Sequence, residues 1–324
     1  MNARTSWLEQ RLAQDAAMPT LRDEVLGGLR RSPKRLSPKF FYDARGSALF
    51  EQICDQPEYY LTRAELELLD AHADDIAAAL GEDVLLIEYG SGSARKTARL
   101  IEAMQGEARY VPVEISATAL DQSVDDLRAL FPALDVAPIC ADFTSFQLES
   151  HDLPAHARRV VYFPGSTLGN FETADAVALL KQMRRQIGAN GAALIGIDLR
   201  KDKATIESAY NDAAGVTAAF TLNMLARFNR ELQADFELAH FAHRARYNVA
   251  LGRIETHIVS HRQQRIRVAD TFIHFDADEA MLVEYSYKYS PPGFAHLAAQ
   301  AGLHVQRIWT DAQQRFSVQL LVPR

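Results

Sequence analysis

VLLIEYGSGSARKT, running from Val84 to Thr97, is the stretch on which the rest of the chain is read. Its first part, Val84–Gly90, is a continuous apolar run ending in glycine, the pattern of a strand buried on both faces of a parallel sheet. Gly90 and Gly92 let the backbone come close to a ligand at the carboxyl end of that strand, where open α/β sheets bind their ligands. Three loop types compete for the turn. A dinucleotide fold wants G-x-G-x-x-G, but the third position holds Arg95. A phosphate loop needs glycine directly before the lysine of Lys96-Thr97, and none is there. S-adenosylmethionine (SAM) carries no phosphate and needs only the short E-x-G-x-G turn that Glu88, Gly90 and Gly92 supply. A lone G-x-G is otherwise just a tight turn.

Further strands follow in the order such a fold needs. A helix is expected from Arg95 to Gln105, then the strand Arg109–Ile115, a helix capped by Ser116 running to Phe131, and the strand Asp135–Asp142. Arg159–Gly165 and Ala192–Leu199 read as two more strands, with a helix between them capped by Thr173 and ending at Ile187. Strands alternating with helices through short connections argue a parallel sheet covered on both faces. Two carboxylates then fall at successive strand ends. Glu114 can accept both hydroxyls of a ribose, while Asp142 can take an adenine amino group with Phe143 covering the base. Their order strengthens the SAM reading over the bare turn.

Outside this block the pattern changes. Leu8 and Leu12, then Val25, Leu26 and Leu29, sit at helical spacing in a region of short helices and loops. RRSPKRLSPK, Arg30–Lys39, is basic and broken by two prolines; without interleaved aromatics it reads as a solvated linker rather than an anion or RNA contact. Thr62 and Glu65 form a T-x-x-E capping box ahead of an Ala/Leu-rich helix to Leu80. From Ala204 a helical stretch with a break at Gly215 reaches Leu232. HRARYNVAL, RIETHIVS, RIRVADTFIHF and MLVEYSYKY then read as four antiparallel strand segments. Ser290-Pro291-Pro292 opens a last helix to Ala301, and HVQRIWT and FSVQLLV pair as terminal strands. The chain thus divides into a parallel-sheet domain, 63–200 with 288–324, and a mixed α+β domain, 1–62 with 201–287.

Composition narrows the class. The 324 residues include 35 Lys plus Arg and 42 Asp plus Glu, a net charge of −7, with 48% hydrophobic and 24% charged residues. That is an ordinary globular composition, long enough to bury about three-quarters of the unfolded surface without disulfides or a structural metal. Cys54 and Cys140 are too few for a disulfide scaffold or a cysteine zinc site. The acidic balance argues against coating nucleic acid, and no apolar run is long enough to span a membrane. The N-terminus, with Glu9 and no apolar core, is not a secretory signal, so a cytoplasmic protein is expected. His240/His243 and His257/His261 have metal-like spacings, but no third ligand accompanies them and position 263 is Gln. No metal is expected.

Four longer segments go beyond the generic class: FFYDARGSALFEQICDQPEYYLTRAE (Phe40–Glu65), PGSTLGNF (Pro164–Phe171), AYNDAAGVTAAFTLNMLARFNREL (Ala209–Leu232) and VEYSYKY (Val283–Tyr289). Together they resemble the histidine-specific N-alpha-methyltransferases of ergothioneine biosynthesis, from about residue 35 to the end. The resemblance implies a Rossmann-like SAM-dependent methyltransferase sheet and three successive methylations of L-histidine to hercynine. It also implies a small-molecule substrate, no nucleic-acid or membrane partner, and a monomer. It places Tyr42, Gly90, Lys96, Glu114, Asp142, Phe143 and Gly165 at the methyl donor. Asn170 and Tyr210 would hold the substrate carboxylate; Tyr42 and Phe50 would stand near the reacting amine. Tyr59, Glu284 and Ser286 would take the imidazole, with Thr256 against the substrate side chain. Tyr42 and Asn170 would orient the amine for in-line displacement.

Residue chemistry supports the imidazole site from another side. Glu284 and Ser286 are two apart on a strand and share a face, and a carboxylate with a hydroxyl satisfies a ring donor and a ring acceptor. Spacing alone would equally make them the solvent face of an amphipathic strand, and Tyr59 and Tyr210 core aromatics. Two positions depart from the family pattern: Glu114 stands where Asp is usual, and Thr256 where methionine is common, leaving room for a larger pocket or a water. Other readings keep the fold but change the role, to methylation of another amino acid or histidine derivative, or to a SAM-binding sensor.

Overall fold

The computed structural model describes residues 20–104, 109–148 and 158–324. Leu8, Leu12 and the expected helix end at Gln105 lie outside them. The chain begins with α1 (Leu21–Leu29), whose Thr20 cap accepts the Asp23 N–H at 3.2 Å. A 3-10 turn, Pro38–Phe41, leads into α2 (Ala44–Cys54), where the Asp43 carboxylate takes the Gly46 N–H at 2.7 Å. Next comes α3 (Tyr60–Leu80), which starts two residues before Thr62. The expected capping box is therefore absent. Thr62 and Glu65 lie within the helix and are buried, so neither faces the helix end.

The central sheet follows the expected order. It comprises β1 (Val84–Tyr89), α4 (Arg95–Ala103), β2 (Arg109–Glu114), α5 (Ala117–Leu130), β3 (Asp135–Val136), β4 (Ile139–Cys140), β5 (Arg158–Phe163), α6 (Thr173–Ile187) and β6 (Ala192–Asp198). The single strand expected over Asp135–Asp142 is two short ones, because Pro138 brings no N–H to the ladder. Thr173 is the first residue of α6 rather than its cap; Glu172 holds that place without a side-chain bond. Ser116 does cap α5.

The remaining elements are α7 (Lys203–Ser208), α8 (Val216–Glu231), β7 (Phe241–Asn248), β8 (Arg253–Ser260), β9 (Gln264–Val268), β10 (Thr271–Phe275), β11 (Ala280–Tyr287), α9 (Pro291–Gln300), β12 (Leu303–Thr310) and β13 (Phe316–Pro323). RIRVADTFIHF folds into the hairpin β9–β10 rather than one strand, turning at Ala269, whose φ is +53°.

Eight strands form the large sheet in the order β12-β13-β6-β5-β1-β2-β3, with β4 also beside β2. From β6 through β3 the pairing is parallel, and β13 and β12 add an antiparallel edge. β1 shows why both faces are covered: Val84 and Leu86 enter one hydrophobic cluster with α3 and α4, Leu85, Ile87 and Tyr89 the other with α6 and α9. A fully buried Leu or Ile is worth roughly 1.5–3 kcal/mol over an exposed one, so neither face is left to solvent. This parallel-dominated α/β sheet is the expected fold class.

A three-stranded antiparallel sheet, β11-β8-β7, stands apart from it. Residues 34–36 dock on this sheet, so the basic segment is not wholly the solvated linker expected of it. The Leu36 N–H donates to the Leu282 carbonyl at 2.9 Å, the Leu282 N–H to Lys34 at 3.1 Å, and Lys34 pairs with Glu279. Sheet-edge hydrogen bonds outweighed the pull of solvent on the charges. The larger hydrophobic cluster runs from Val25, Phe228 and Ile258 through to Leu86, Leu194 and Phe316, joining the sequence-distant parts in one core.

Candidate active site

A cleft of about 1820 Å³ opens at the carboxyl ends of β1, β2 and β5. At its floor Gly90 adopts φ +72° and donates its N–H to the Val113 carbonyl at 2.8 Å. A Cβ there would stand 3.8 Å from the Phe143 ring, in the slot between turn and ring. Phe143 in turn stacks on Tyr89. Glu88 is buried beneath the turn and accepts from Thr97 Oγ1 at 2.6 Å and from Tyr110. Burial pushes its carboxyl up to about 8, against the pull of those two donors.

Glu114 and Asp142 both line the cleft, each with one oxygen engaged locally. Glu114 Oε1 takes the Ser116 N–H at 3.0 Å; Asp142 Oδ1 takes the Thr144 N–H at 2.9 Å and its hydroxyl at 2.6 Å. Burial raises the Glu114 carboxyl, opposed by backbone N–H groups of Ser116, Gly92 and Ile115. Both carboxylates reach the cleft, Asp142 with its Oδ2 3.9 Å from Lys39 Nζ. Two acceptors at successive strand ends, a glycine turn and a ring over the slot fit an adenosyl group without phosphate.

Sequence reading missed Glu65. Its fully buried carboxylate accepts the Gly165 N–H at 3.1 and 3.0 Å and pairs with Lys96 at 2.6 Å. Room for it exists because residue 196, inside β6, is glycine; a Cβ there would lie 2.4 Å from Glu65 Oε1. That glycine within a buried strand was the available signal. Burial works to lower the Lys96 ammonium, but Glu65 outweighs it and the net shift is upward. Lys96 therefore holds the Gly165 turn through Glu65 at the cleft wall.

The acceptor side is aromatic. Tyr42 meets Phe50 and Phe220 edge-on, Phe50 meets Tyr59, and Tyr59 meets Tyr210. Phe220, on α8, is a second residue that sequence reading missed. Burial first, then Glu284, raises the Tyr42 phenol, so it stays neutral. Tyr42 is positioned by Asp43, which besides capping α2 receives the Asn223 amide at 2.8 Å and Arg230 at 2.6 Å from α8. Asn170 closes the 3-10 turn Thr167–Asn170 and lines the cleft. That turn packs tightly: a Cβ on Gly169 would lie 2.7 Å from the Tyr287 carbonyl oxygen.

β11 supplies Glu284 and Ser286 on one face, as expected, but through a bulge. Pairing runs Met281↔Ile258 and Leu282↔His257, skips Val283, then resumes at Glu284↔Thr256 and Ser286↔Ile254. The skipped residue resets the alternation, so Glu284 and Ser286 share a face with Met281. Burial raises Glu284 to about 7, opposed by Lys288 and by Thr256. Thr256 does not line the cleft: it sits behind Glu284 and donates to it at 3.3 Å. Its expected contact with substrate is replaced by support of the carboxylate.

Behind Tyr210 and Ser286 lies a buried charge cluster also missed in sequence. Lys288 Nζ reaches Asp198 Oδ2 at 2.8 Å, the Tyr210 hydroxyl at 2.8 Å and Ser286 Oγ at 2.9 Å. Asp198 also receives the Tyr60 hydroxyl at 2.9 and 2.8 Å and Lys201 at 2.6 Å.

The histidine pairs do other work. His243 Nδ1 faces the Thr221 hydroxyl and Nε2 the Tyr210 carbonyl, both at 2.9 Å, while His240 pairs with Glu237. Among the described residues no group of three or more His, Cys, Asp or Glu side chains could hold a metal ion. Cys54 lines the cleft as a thiol raised by burial.

The family described as "Histidine-specific methyltransferase, SAM-dependent" matches residues 21–323. The histidine N-alpha-methyltransferase of Mycobacterium tuberculosis is 40% identical over 314 residues, covering 95% of this chain and 97% of its own. That of Mycolicibacterium smegmatis is 41% identical over 318 residues, covering 96% and 97%. Among solved structures, the CcbJ methyltransferase from Streptomyces caelestis aligns with a TM-score of 0.45 and 16% identity, over 79% of this chain and 96% of its own.

Proposed function

The chain belongs to the histidine-specific, SAM-dependent methyltransferase family, and from that premise we propose that it methylates the α-nitrogen of L-histidine three times, giving hercynine, the first step toward ergothioneine. It is a SAM-dependent N-methyltransferase. The observation that carries the acceptor assignment is the meeting in one cleft of the Gly90 turn with Tyr210, Glu284 and Ser286. A protein that only sensed SAM would have no need of the second group. We assign the donor end to 63–200 with 288–324 and the acceptor end to 1–62 with 201–287. A monomeric cytoplasmic enzyme acting on a small molecule, with no nucleic-acid or membrane partner, accompanies this reading.

SAM would be held by Gly90, Glu114, Asp142 and Phe143, with Lys96 and Gly165 at the methyl end, and when bound it supplies an electrophilic sulfonium methyl. Everything else falls to the chain. Glu284 and Ser286 take the imidazole, with Tyr59 against the ring and Phe50 beside the amine. Tyr210 and Asn170 take the carboxylate. Tyr42, kept neutral by burial and Glu284, orients the amine with Asn170 and cannot act as a strong base. An ammonium beside a second positive charge loses its proton more readily, which lessens the need for one. Fixed orientation is the larger contribution, since proximity supplies roughly 7–11 kcal/mol in favourable cases.

Incubation with SAM and a panel of amino acids, followed by mass spectrometry, tests the acceptor. Histidine should gain up to three methyl groups and the other amino acids none. Methylation of a different amino acid in preference to histidine would move the reading to another acceptor; no methylation of any would refute it.

A further inference from the structure

The two hydroxyls placed at the substrate, Tyr210 and Ser286, are not independent. Their oxygens lie 2.8 Å apart, and both are held by one ammonium, that of Lys288. Lys288 has three N–H donors and three acceptors around it: Asp198, Tyr210 and Ser286. Its donors are all spent. Each hydroxyl therefore accepts one bond from Lys288, and the contact between the two consumes the hydrogen of one of them. One hydroxyl hydrogen is left for a ligand.

We infer that Lys288 is a positioning residue that clamps Tyr210 and Ser286 so that, with the substrate carboxylate on Tyr210, Ser286 acts only as an acceptor toward the imidazole. The inference rests on the acceptor assignment above. A carboxylate requires a donor, so Tyr210 gives it the free hydrogen. Ser286 must then give its own hydrogen to Tyr210, and its remaining lone pair meets a ring N–H. The other ring nitrogen faces Glu284. One proton is shared on that side: either a neutral ring accepts from a protonated Glu284, or an imidazolium donates to its carboxylate. Both descriptions contain one proton more than a neutral ring beside an ionised carboxylate.

Charge supports the same arrangement. Two ammonium groups, Lys288 and Lys201, sit on the single carboxylate Asp198, with Lys288 directly behind the Tyr210 hydroxyl. This supplies the cation that two neutral ligands, Tyr210 and Asn170, lack for binding a carboxylate. Around Glu284 the charged and titratable groups are Lys288, one residue past the end of β11, and Tyr42, Tyr59 and Tyr210 from the facing elements, with the neutral Thr256 on β8. Lys288 is the one cation among them, and its donors are already taken. Burial holding Glu284 near 7 is in keeping with a shared proton.

Titration calorimetry with 3-(imidazol-4-yl)propionate, which lacks the amine and so releases no ammonium proton, tests this directly. Run at pH 8 with S-adenosylhomocysteine present, in phosphate and in Tris, it reads proton uptake from the difference in heats. Free imidazole, with a pKa near ~6.5, and Glu284 are both largely deprotonated there. The expected result is uptake of about one proton per ligand bound. Binding without uptake means Ser286 donates to a neutral ring, and overturns the inference while the acceptor site stands. Failure of both this ligand and histidine to bind overturns the acceptor assignment and the inference with it. Lys288→Met, checked for folding by its thermal unfolding profile, should lose most of the uptake and bind at least about tenfold more weakly. A folded variant retaining full uptake contradicts the clamp; if the variant does not fold, the wild-type proton count still decides.

Discussion

Glu88 illustrates how a single buried carboxyl sets a property of the molecule. It is 1% exposed, with two donors on one oxygen, yet burial lifts it to about 8 from an ordinary 4.5. Between those values the folded protein keeps a proton that the unfolded chain has lost. Stability therefore falls as pH rises through this window, with a slope of at most about 1.4 kcal/mol per pH unit from this group. Glu88→Gln keeps an acceptor for Thr97 and Tyr110 but does not titrate. Urea midpoints at pH 5 and pH 8 should converge in the variant relative to the parent; an unchanged difference would show that Glu88 does not titrate in this range. At this scale the sequence was informative about residues that line the cleft and silent about their supports. Gly90, Glu114, Asp142, Tyr210, Glu284 and Ser286 could be placed because their motifs are local. Glu65, Asp198 and Lys288 act across 100, 90 and 78 residues, on Gly165, Lys288 and Tyr210 respectively, and no local spacing reveals such partners.

Elements fix where those residues point. The bulge at Val283 turns Glu284 and Ser286 into the cleft, and the 3-10 turn Thr167–Asn170 presses on the neighbouring strand through Gly169. Gly169→Ala would push a methyl group to 2.7 Å from the Tyr287 carbonyl oxygen, so the turn carrying Asn170 must move. Overpacking of this kind costs about 1–3 kcal/mol. A displacement of order 1 Å near the reacting groups costs about 10²-fold in rate. The variant should thus lose about tenfold to a hundredfold in kcat/KM for histidine; parental kinetics would show that this contact does not set Asn170. The sequence rendered the elements themselves well, because buried parallel strands and capped helices follow short-range patterns. It failed where a local signal had a competing use. Thr62 and Glu65 matched a capping box, but burying Glu65 against Lys96 won. The basic Arg30–Lys39 segment looked solvated, but part of it found a sheet edge.

At the scale of the whole molecule, the cleft is assembled from both ends of the chain. Tyr42 and Tyr59 come from before the large sheet, and Tyr210, Glu284 and Ser286 from after its first six strands. The hydrophobic cluster that joins these parts keeps the acceptor groups in register with the Gly90 turn. The change near residue 200 from parallel strands to antiparallel ones was legible in the periodicity. Their common core was not, because it depends on contacts between segments far apart in sequence. The central claim is that this assembly presents the α-nitrogen, and not the ring, to the methyl donor. NMR of the product formed from L-histidine and SAM tests it most directly. A single methyl resonance from a trimethylated α-nitrogen, with both ring nitrogens unmodified, is the predicted result. Methyl groups on the imidazole would contradict the orientation set by Glu284 and Ser286.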